Sequence, residues 1–183
     1  MPTLKVIVAS VRQKRSGLSI AAWFVALAAR HKGFEVQMID LKRLDLPVAT
    51  GGDDARMAEH SAVKQWTEVV RTADAFVFVT PEYNHAAPPG LLNALSFAEP
   101  HWQYKPAGFV SYGGFGGTRG VVMAKEVLAS LRMVPLVEAV AIPQHTRLIT
   151  DGAFDGGESH ERAANRMLDE LRRWAGALRL LRH

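Results

Sequence analysis

Five short runs of strand-forming residues alternate with longer amphipathic stretches, and this alternation constrains the fold more than any other feature of the chain. The short runs are rich in β-branched and aromatic residues, whereas the stretches between them repeat apolar residues at helical spacing. Such alternation is typical of a parallel sheet covered by helices on both faces. Strands are predicted at 4–9, 34–40, 75–80, 106–112 and 135–141, and helices at 17–32, 60–72, 90–98, 117–132 and 160–181.

The polarity of the individual strands indicates their order in the sheet. Residues 6–8 and 76–79 are unbroken apolar runs, as expected of central strands buried on both faces. Residues 35–38 alternate polar and apolar side chains, which suits an edge strand, and the fifth strand carries Glu138. The order 2-1-3-4-5 puts both of these strands at edges. Its topological switch lies between strands 1 and 3, where ligands bind at the carboxyl ends of the strands.

Length and composition predict an ordinary globular protein. At 183 residues the chain fits one domain, since two halves would each bury too little apolar surface to fold. We therefore predict a single domain over residues 1–183. No segment reaches the roughly 18 unbroken apolar residues of a membrane helix, and no signal segment is recognisable, so a cytoplasmic protein without a membrane partner is expected.

The residue types present also exclude several classes of site. The chain has no cysteine, which excludes thiolate nucleophiles and cysteine-bound clusters, so redox chemistry would require a bound cofactor. Its 7 histidines show no paired metal-ligand spacing, and no metal site is predicted. The net charge of +4 comes largely from the polar face of the last helix, without a basic block interleaved with aromatics, so no nucleic-acid partner is predicted.

The loop after the first strand has the chemistry of a phosphate site. Ser10, Arg12, Arg15 and Ser16 precede Gly17, where a helix begins. Hydroxyls, unpaired helix amides and the helix dipole all favour a dianion, and Arg12 or Arg15 can add charge-assisted hydrogen bonds. The alternative is that Ser16 only caps the helix and the cations are solvated. Neither a triphosphate loop nor a three-glycine dinucleotide fingerprint is present, which leaves a mononucleotide as the predicted ligand.

Two further loops end at the same edge of the predicted sheet. The segment from Pro81 to Gly90 is a proline-rich turn whose main chain can present a rigid array of donors and acceptors to a flat heterocycle. After the fourth strand, residues 113–117 include four glycines, which lets backbone approach a ligand closely, with Tyr112 beside it. A purely structural turn is the alternative for each loop.

Together these loops resemble the NADPH-dependent FMN reductase family, which includes flavodoxin-like quinone, azo-dye and chromate reductases. The resemblance implies a flavodoxin-like α/β three-layer sandwich that binds FMN, usually at the interface of a homodimer or a homotetramer. The motifs that carry it are Ser10-Val-Arg12-Gln-Lys-Arg15-Ser-Gly17, Pro81-Glu82-Tyr83-Asn84-His85 with Gly90-Leu-Leu-Asn93-Ala, and Ser111-Tyr112-Gly113-Gly114 with Gly117-Thr-Arg119.

The resemblance also implies roles for particular residues. The first loop would hold the phosphate, and the second and third loops would border the two edges of the isoalloxazine. No catalytic side chain is assigned, although Tyr83, His85 and Tyr112 are candidate proton donors. The predicted cofactor-binding residues are Ser10, Arg12, Arg15, Ser16, Gly17, Leu18, Pro81, Glu82, Tyr83, Asn84, Ser111, Tyr112, Gly113 and Gly114.

The family implies an enzyme that moves a hydride from NADPH or NADH to the flavin and then to a small acceptor in ping-pong exchange. The main alternative is a flavodoxin-like electron carrier or flavin sensor with little nucleotide turnover. Such carriers are usually acidic, so the positive charge of this chain favours a phosphorylated reductant. A third alternative is an interaction protein that kept the fold without the cofactor.

The segment 99–104 contains two large amphipathic rings, Trp102 and Tyr104. Rings of this kind are frequent at ligand entrances and subunit contacts, and the segment is expected to lie at one of these. Simple packing in the core is the alternative.

Overall fold

A five-stranded parallel sheet forms the centre of the structure, a computed structural model that describes residues 1–50 and 55–182. The observed order, β2-β1-β3-β4-β5, confirms the order predicted from strand polarity. Every neighbouring pair is parallel. The strands are β1 (Thr3–Val8), β2 (Glu35–Asp40), β3 (Ala75–Pro81), β4 (Pro106–Gly113) and β5 (Val134–Pro143).

Helices cover both faces of the sheet, as the alternation of elements predicts. The helices are α1 (Gly17–His31), α2 (Leu41–Leu44), α3 (Ala55–Glu59), α4 (Ser61–Arg71), α5 (Pro89–Leu95), α6 (Thr118–Ser130) and α7 (Gly157–Leu178). The apolar stripes of α1 and α7 pack together on one face, and those of α4, α5 and α6 pack on the other. The fold is therefore a flavodoxin-like three-layer sandwich.

Alternation along β1 shows how one strand serves both layers. Val6 and Val8 belong to the core beneath α1 and α7, whereas Ile7 belongs to the core beneath α4, α5 and α6. All three side chains are fully buried, which accounts for the unbroken apolar run in this strand. By contrast, most of β2 is exposed or half-buried, as expected of an edge strand.

Several short elements were not predicted. The single turn of α2 is capped by the Asp40 carboxylate, which accepts a hydrogen bond from the Lys42 amide at 3.1 Å, and one turn is too short to show a helical period. The helix α3 follows it. A small hairpin of β6 (Ile149–Thr150) and β7 (Ala153–Phe154) turns through Asp151 and Gly152, both at positive φ. Asp-Gly is a recognised hairpin dipeptide, so this element was detectable in the sequence.

The segment 99–104 corrects a prediction. Trp102 is fully buried, its ring centroid lies 5.0 Å from that of Phe76, and its indole N–H donates to the Phe97 carbonyl at 2.6 Å. Because the segment comes directly before β4, it lies at the amino edge of the sheet, opposite the three ligand loops. The expectation of a ligand entrance is wrong, and packing in the core is what the structure shows for Trp102.

Candidate functional site

The loops that follow β1, β3 and β4 meet around a cavity of about 500 Å³ at the carboxyl edge of the sheet. Gly17, Leu18, Asn84, Ser111 and Gly114 from the predicted set are not among the residues that line it. The lining residues are Ser10, Arg12, Lys14, Arg15, Ser16, Pro81, Glu82, Tyr83, Tyr112, Gly113 and His145.

Ser10 and Arg12 connect the first loop to the second. Ser10 is fully buried, and its hydroxyl lies 2.7 Å from the hydroxyl of Tyr83. The guanidinium carbon of Arg12 lies 3.9 Å from the centroid of the Tyr83 ring, a cation–π contact. The exposed Arg12 therefore places its charge at the mouth of the cavity while Tyr83 supports it.

The start of α1 lies at one end of the cavity. Ser16 occupies the N-cap position, but its side chain makes no capping hydrogen bond, so the alternative of a simple helix cap is not what the structure shows. The first amides of a helix lack intrahelical partners, and the helix dipole is positive at this end. Unpaired helix amides, a hydroxyl that does not cap the helix and a positive dipole are the groups that bind a phosphate.

Gly17 is required at the start of α1 because Tyr112 approaches it closely. A Cβ on residue 17 would lie 2.7 Å from the Tyr112 hydroxyl oxygen and 3.3 Å from Val8 Cγ1. That hydroxyl is buried and has no hydrogen-bond partner. Burial, with a further contribution from the neighbouring Tyr83, raises the pKa of Tyr112 far above its ordinary value. The hydroxyl thus stays protonated and available as a donor.

Arg15 lines the cavity but is engaged within the protein. Its guanidinium Nη2 lies 2.5 Å from Asp40 Oδ2, and Nη1 donates to the Arg12 carbonyl at 2.9 Å. Both side chains of the ion pair are less than a tenth exposed. Arg15 therefore fastens the first loop to the end of β2, and Arg12 is the arginine of this loop whose guanidinium is exposed at the cavity. Asp40 was not among the predicted site residues.

The second loop is a tight hairpin turn. Tyr83 and Ala86 exchange backbone hydrogen bonds of 3.0 and 2.9 Å, and Asn84 and His85 between them have positive φ values of 50° and 64°. Positive φ at both central residues defines a type I′ turn, in which asparagine is favoured. The turn places Tyr83 at the cavity and leaves Asn84 at its tip.

Glu82 fixes the second loop to α6. Its carboxylate accepts hydrogen bonds from the amides of Arg119 at 2.9 Å and Gly120 at 3.3 Å, and it pairs with the Arg119 guanidinium at 3.2 Å. A Cβ on residue 120 would lie 2.9 Å from the Ala86 carbonyl oxygen, so glycine allows this close approach. Glu82, which is predicted to border the isoalloxazine, thus caps the start of α6.

The glycines of the third loop let the chain fold back on β4. Ser111 donates its hydroxyl hydrogen to the Gly116 carbonyl at 2.6 Å, which uses the hydroxyl inside the loop. Gly117 has a φ of 74°, and a Cβ there would lie 2.9 Å from the Tyr112 amide nitrogen. Gly113 lines the cavity, whereas nothing lies within 4 Å of a Cβ built on Gly114.

His145 is a site residue that the sequence did not reveal. It begins a short 3₁₀ helix (His145–Leu148) after β5, and its ring lies edge-on to Tyr112 with centroids 4.9 Å apart. Burial lowers the pKa of the imidazole, and the Gly113 backbone partly opposes that shift. The position of His145 directly after the fifth strand, at the same edge as the other loops, was the signal that could have identified it.

Unpaired polar atoms show that this cavity suits a polar ligand. Among the described residues, Arg15 Nε, Tyr112 Oη and His145 Nδ1 are buried without a hydrogen-bond partner, and all three residues line it. A larger groove of about 930 Å³ lies beside α5, but it has no comparable set of unpaired groups. The combination of cations, hydroxyls and helix amides fits the phosphate of a mononucleotide such as FMN.

Two negative findings concern the described ranges, 1–50 and 55–182. No set of three metal-ligating side chains comes together there. No helix within these ranges has the length and apolar character needed to span a membrane.

Comparison with known proteins identifies the family. The profile of the NADPH-dependent FMN reductase family matches residues 2–147. The chain is 36% identical over 162 residues to an NAD(P)H-dependent FMN reductase, C4B3.06c of Schizosaccharomyces pombe, with 84% of this chain and 79% of the relative covered. It is 33% identical over 143 residues to a probable NADPH:quinone oxidoreductase 1 of Oryza sativa subsp. japonica, with 71% and 70% covered.

A solved structure supports the fold. FerB, a flavoenzyme NAD(P)H:(acceptor) oxidoreductase from Paracoccus denitrificans, superposes with a TM-score of 0.78 at 21% identity, covering 97% of this chain and 98% of that one. This is a likeness of fold alone. The chain belongs to the NADPH-dependent FMN reductase family, which confirms the resemblance found in its motifs. The predicted class of enzyme, an oxidoreductase of FMN and a nicotinamide nucleotide, is confirmed at the level of this family.

Proposed function

We propose that this chain, acting as one domain over residues 1–183, is an FMN-dependent NAD(P)H oxidoreductase that reduces a small acceptor in ping-pong exchange. A quinone is the first acceptor to test, and azo compounds and metal oxyanions follow. The observation that carries the proposal is the cavity where β1, β3 and β4 end, with cations and a helix N-terminus at one end and buried, unpaired polar atoms in its wall.

Residues of the first loop would hold the phosphate of FMN. Arg12 offers an exposed guanidinium, Ser16 a hydroxyl that caps nothing, and α1 its first amides. Ser10 lies deeper and is tied to Tyr83, so it orients the second loop as well as the ligand. Charge-assisted hydrogen bonds to a phosphate are among the strongest a protein makes, which is why this end would dominate affinity.

When bound, FMN supplies the hydride chemistry, because its ring can accept and return two electrons. The protein then has to exclude water, orient the ring and stabilise negative charge on it. Backbone amides in fixed loops do this well, since they need no rearrangement during reaction. Backbone hydrogen bonds close both the type I′ turn at Asn84 and His85 and the glycine loop, which favours fixed positions for their amides.

The surroundings of the three candidate proton donors differ, and this difference supports a choice among them. His85 Nε2 lies 2.7 Å from Arg119 Nη1, and because arginine can only donate, this nitrogen is occupied as an acceptor. His85 also does not line the cavity. Tyr83 and Tyr112 both line it, and Tyr112 keeps its proton because burial raises its pKa. We favour the two tyrosines over His85 as hydrogen-bond donors to a bound acceptor.

A cavity of this size supports alternate use by the two substrates. Its volume of about 500 Å³ is within the range for a single cofactor-sized ligand. With FMN in place, the nucleotide and the acceptor would have to share the exposed part of the ring, one after the other. Sharing one surface is the structural basis of ping-pong exchange.

Anaerobic stopped-flow absorbance tests the proposal directly. Protein reconstituted with FMN is mixed with NADPH or NADH, and loss of the oxidised-flavin absorbance is followed; a quinone is then added. We expect bleaching by at least one nucleotide, recovery with the quinone, and parallel lines in double-reciprocal plots of initial rates. Intersecting lines would contradict the exchange mechanism. Flavin that binds but is not bleached would contradict the enzyme and support an electron carrier.

Assembly into a homodimer or homotetramer belongs to the same proposal. The family resemblance motivates it, since FMN in this family usually lies at a subunit interface. Sedimentation velocity with and without FMN measures the oligomeric state. A monomer at all concentrations would contradict the proposed assembly, and the cavity-based argument for FMN would stand independently of it.

A further inference from the structure

His145 reaches the cavity from outside the three loops that carry the family resemblance. Its Nε2 lies 3.2 Å from the Ser16 hydroxyl oxygen, and its ring rests edge-on against Tyr112. The imidazole is therefore held on two sides, at the end of the cavity where α1 begins. Nδ1 is buried and has no partner.

Ser16 connects His145 to the predicted phosphate position. The Ser16 hydroxyl makes no cap to α1, and its contact with His145 is the hydrogen bond that the structure shows for it. A hydroxyl can accept one hydrogen bond and donate another. If His145 donates to Ser16, the Ser16 hydrogen is free for a ligand in the cavity.

The charges around His145 explain why a bound anion would change the protonation state of its imidazole. Burial keeps the pKa of the imidazole below its ordinary value, which favours the neutral ring near pH 7. Three cations share the cavity, while its one lining carboxylate, Glu82, is paired with Arg119. A bound dianion would offset these cations and favour the imidazolium. The other charged or titratable groups facing the cavity are Arg12, Lys14, Arg15, Glu82, Tyr83 and Tyr112.

We propose that His145 is a positioning residue for a phosphate monoester: it donates to Ser16, Ser16 turns its own hydroxyl hydrogen toward the phosphate, and the pair selects FMN over riboflavin. This inference rests on the proposed function, since it needs FMN in the cavity. It adds a residue from the β5 loop to a phosphate site otherwise built from the β1 loop. Riboflavin has the same ring without the phosphate and is therefore the matched ligand.

Fluorescence titration of the apoprotein with FMN and riboflavin tests the proposal. We expect His145→Phe, which keeps a ring against Tyr112 but loses the hydrogen bond, to weaken FMN about tenfold, as for loss of one hydrogen bond to a charged group, and to leave riboflavin unchanged. His145→Gln keeps a donor and should recover most of the FMN affinity. His101→Phe, at the opposite edge of the sheet, is the control and should change neither ligand.

The outcomes separate this inference from the proposed function. An FMN-to-riboflavin affinity ratio in His145→Phe equal to that of the wild type would overturn it, because packing alone would then explain the residue. If the wild type itself binds FMN no more tightly than riboflavin, the phosphate site of the proposed function fails instead.

Calorimetry in two buffers of different ionisation enthalpy supplies a second readout. FMN binding to the wild type should take up more protons than binding to His145→Gln near neutral pH. The ionisation of the phosphate is common to both measurements and cancels in the difference. Equal proton uptake would overturn the charged role of His145.

Discussion

The two edges of the sheet both contain buried polar groups, but the two sets differ in their hydrogen bonding. At the amino edge, the Lys105 ammonium donates to the carbonyls of Val70 at 2.6 Å and Arg71 at 3.1 Å, and Arg182 pairs with Asp74 at 3.2 Å. At the carboxyl edge, the Tyr112 hydroxyl and one His145 nitrogen are buried without partners.

The unpaired polar atoms indicate that the carboxyl edge is the one suited to a ligand. Buried polar groups in folded proteins are nearly always hydrogen-bonded, and exceptions need a reason. Of the five such atoms among the described residues, Arg15 Nε, Tyr112 Oη and His145 Nδ1 belong to residues that line the candidate cavity, whereas His31 Nδ1 and Arg182 Nε lie outside it. We infer that the polar groups of the amino edge contribute to stability and that those of the carboxyl edge are placed to bind a ligand.

The largest expected effect is on stability at the amino edge. Trp102→Ala should lower the free energy of unfolding by about 3–5 kcal/mol, because it removes a fully buried ring that packs on Phe76 and Trp66. Urea denaturation of the apoprotein measures this, and Trp102→Phe serves if the alanine variant does not fold. Trp174→Ala, at a 41% exposed position, is the matched control. A large change in the FMN affinity of folded Trp102→Phe would contradict the separate roles that we infer for the two edges.

The next effect is on ligand binding at the carboxyl edge. Arg12→Ala should weaken FMN binding about tenfold or more, since a hydrogen bond to a charged group contributes about 1.5–3 kcal/mol. Stability should hardly change, because Arg12 is exposed. Flavin content after purification and fluorescence titration report the result. Arg166→Ala, on the exposed face of α7, removes the same charge elsewhere. Unchanged flavin occupancy in Arg12→Ala would count against the phosphate assignment.

Gly17→Ala tests whether a residue at the carboxyl edge also contributes to stability. The new Cβ would lie 2.7 Å from the Tyr112 hydroxyl, and overpacking of this kind costs about 1–3 kcal/mol. Tyr112→Phe removes that hydroxyl, so the double variant should recover part of the loss. A double-mutant cycle in urea with no coupling between the two sites would show that the clash relaxes in another way.

The last effect is the pH dependence contributed by Lys105. Burial, followed by the neighbouring Arg182, lowers the pKa of Lys105 to about 8, whereas its ordinary value is 10.5. The unfolded chain therefore binds more protons between these values, and the free energy of unfolding should rise as pH increases through this window. Lys105→Met should lack this increment, as measured by urea denaturation against pH. The same slope in both proteins would remove Lys105 as its source.

Much of the fold could be predicted from residue types alone. The unbroken apolar runs of β1 and β3 and the alternating pattern of β2 record the burial of each strand, and burial indicated the strand order. The order in turn placed the three ligand loops at one edge, and the serines, arginines and glycines in those loops indicated their chemistry. The short α2 was missed because one turn carries too little periodicity, and the β6–β7 hairpin was missed although its Asp151-Gly152 turn was a usable signal.

The partners within the site were decided only by the tertiary structure. Arg15 meets Asp40, Gly17 meets Tyr112, and Ser16 meets His145 across 129 positions of sequence. Burial and turn conformation can be read from the local sequence, because each favours particular residue types at the position concerned. A hydrogen bond between distant loops cannot be read in this way, because it exists only after the sheet has brought the ends of its strands together.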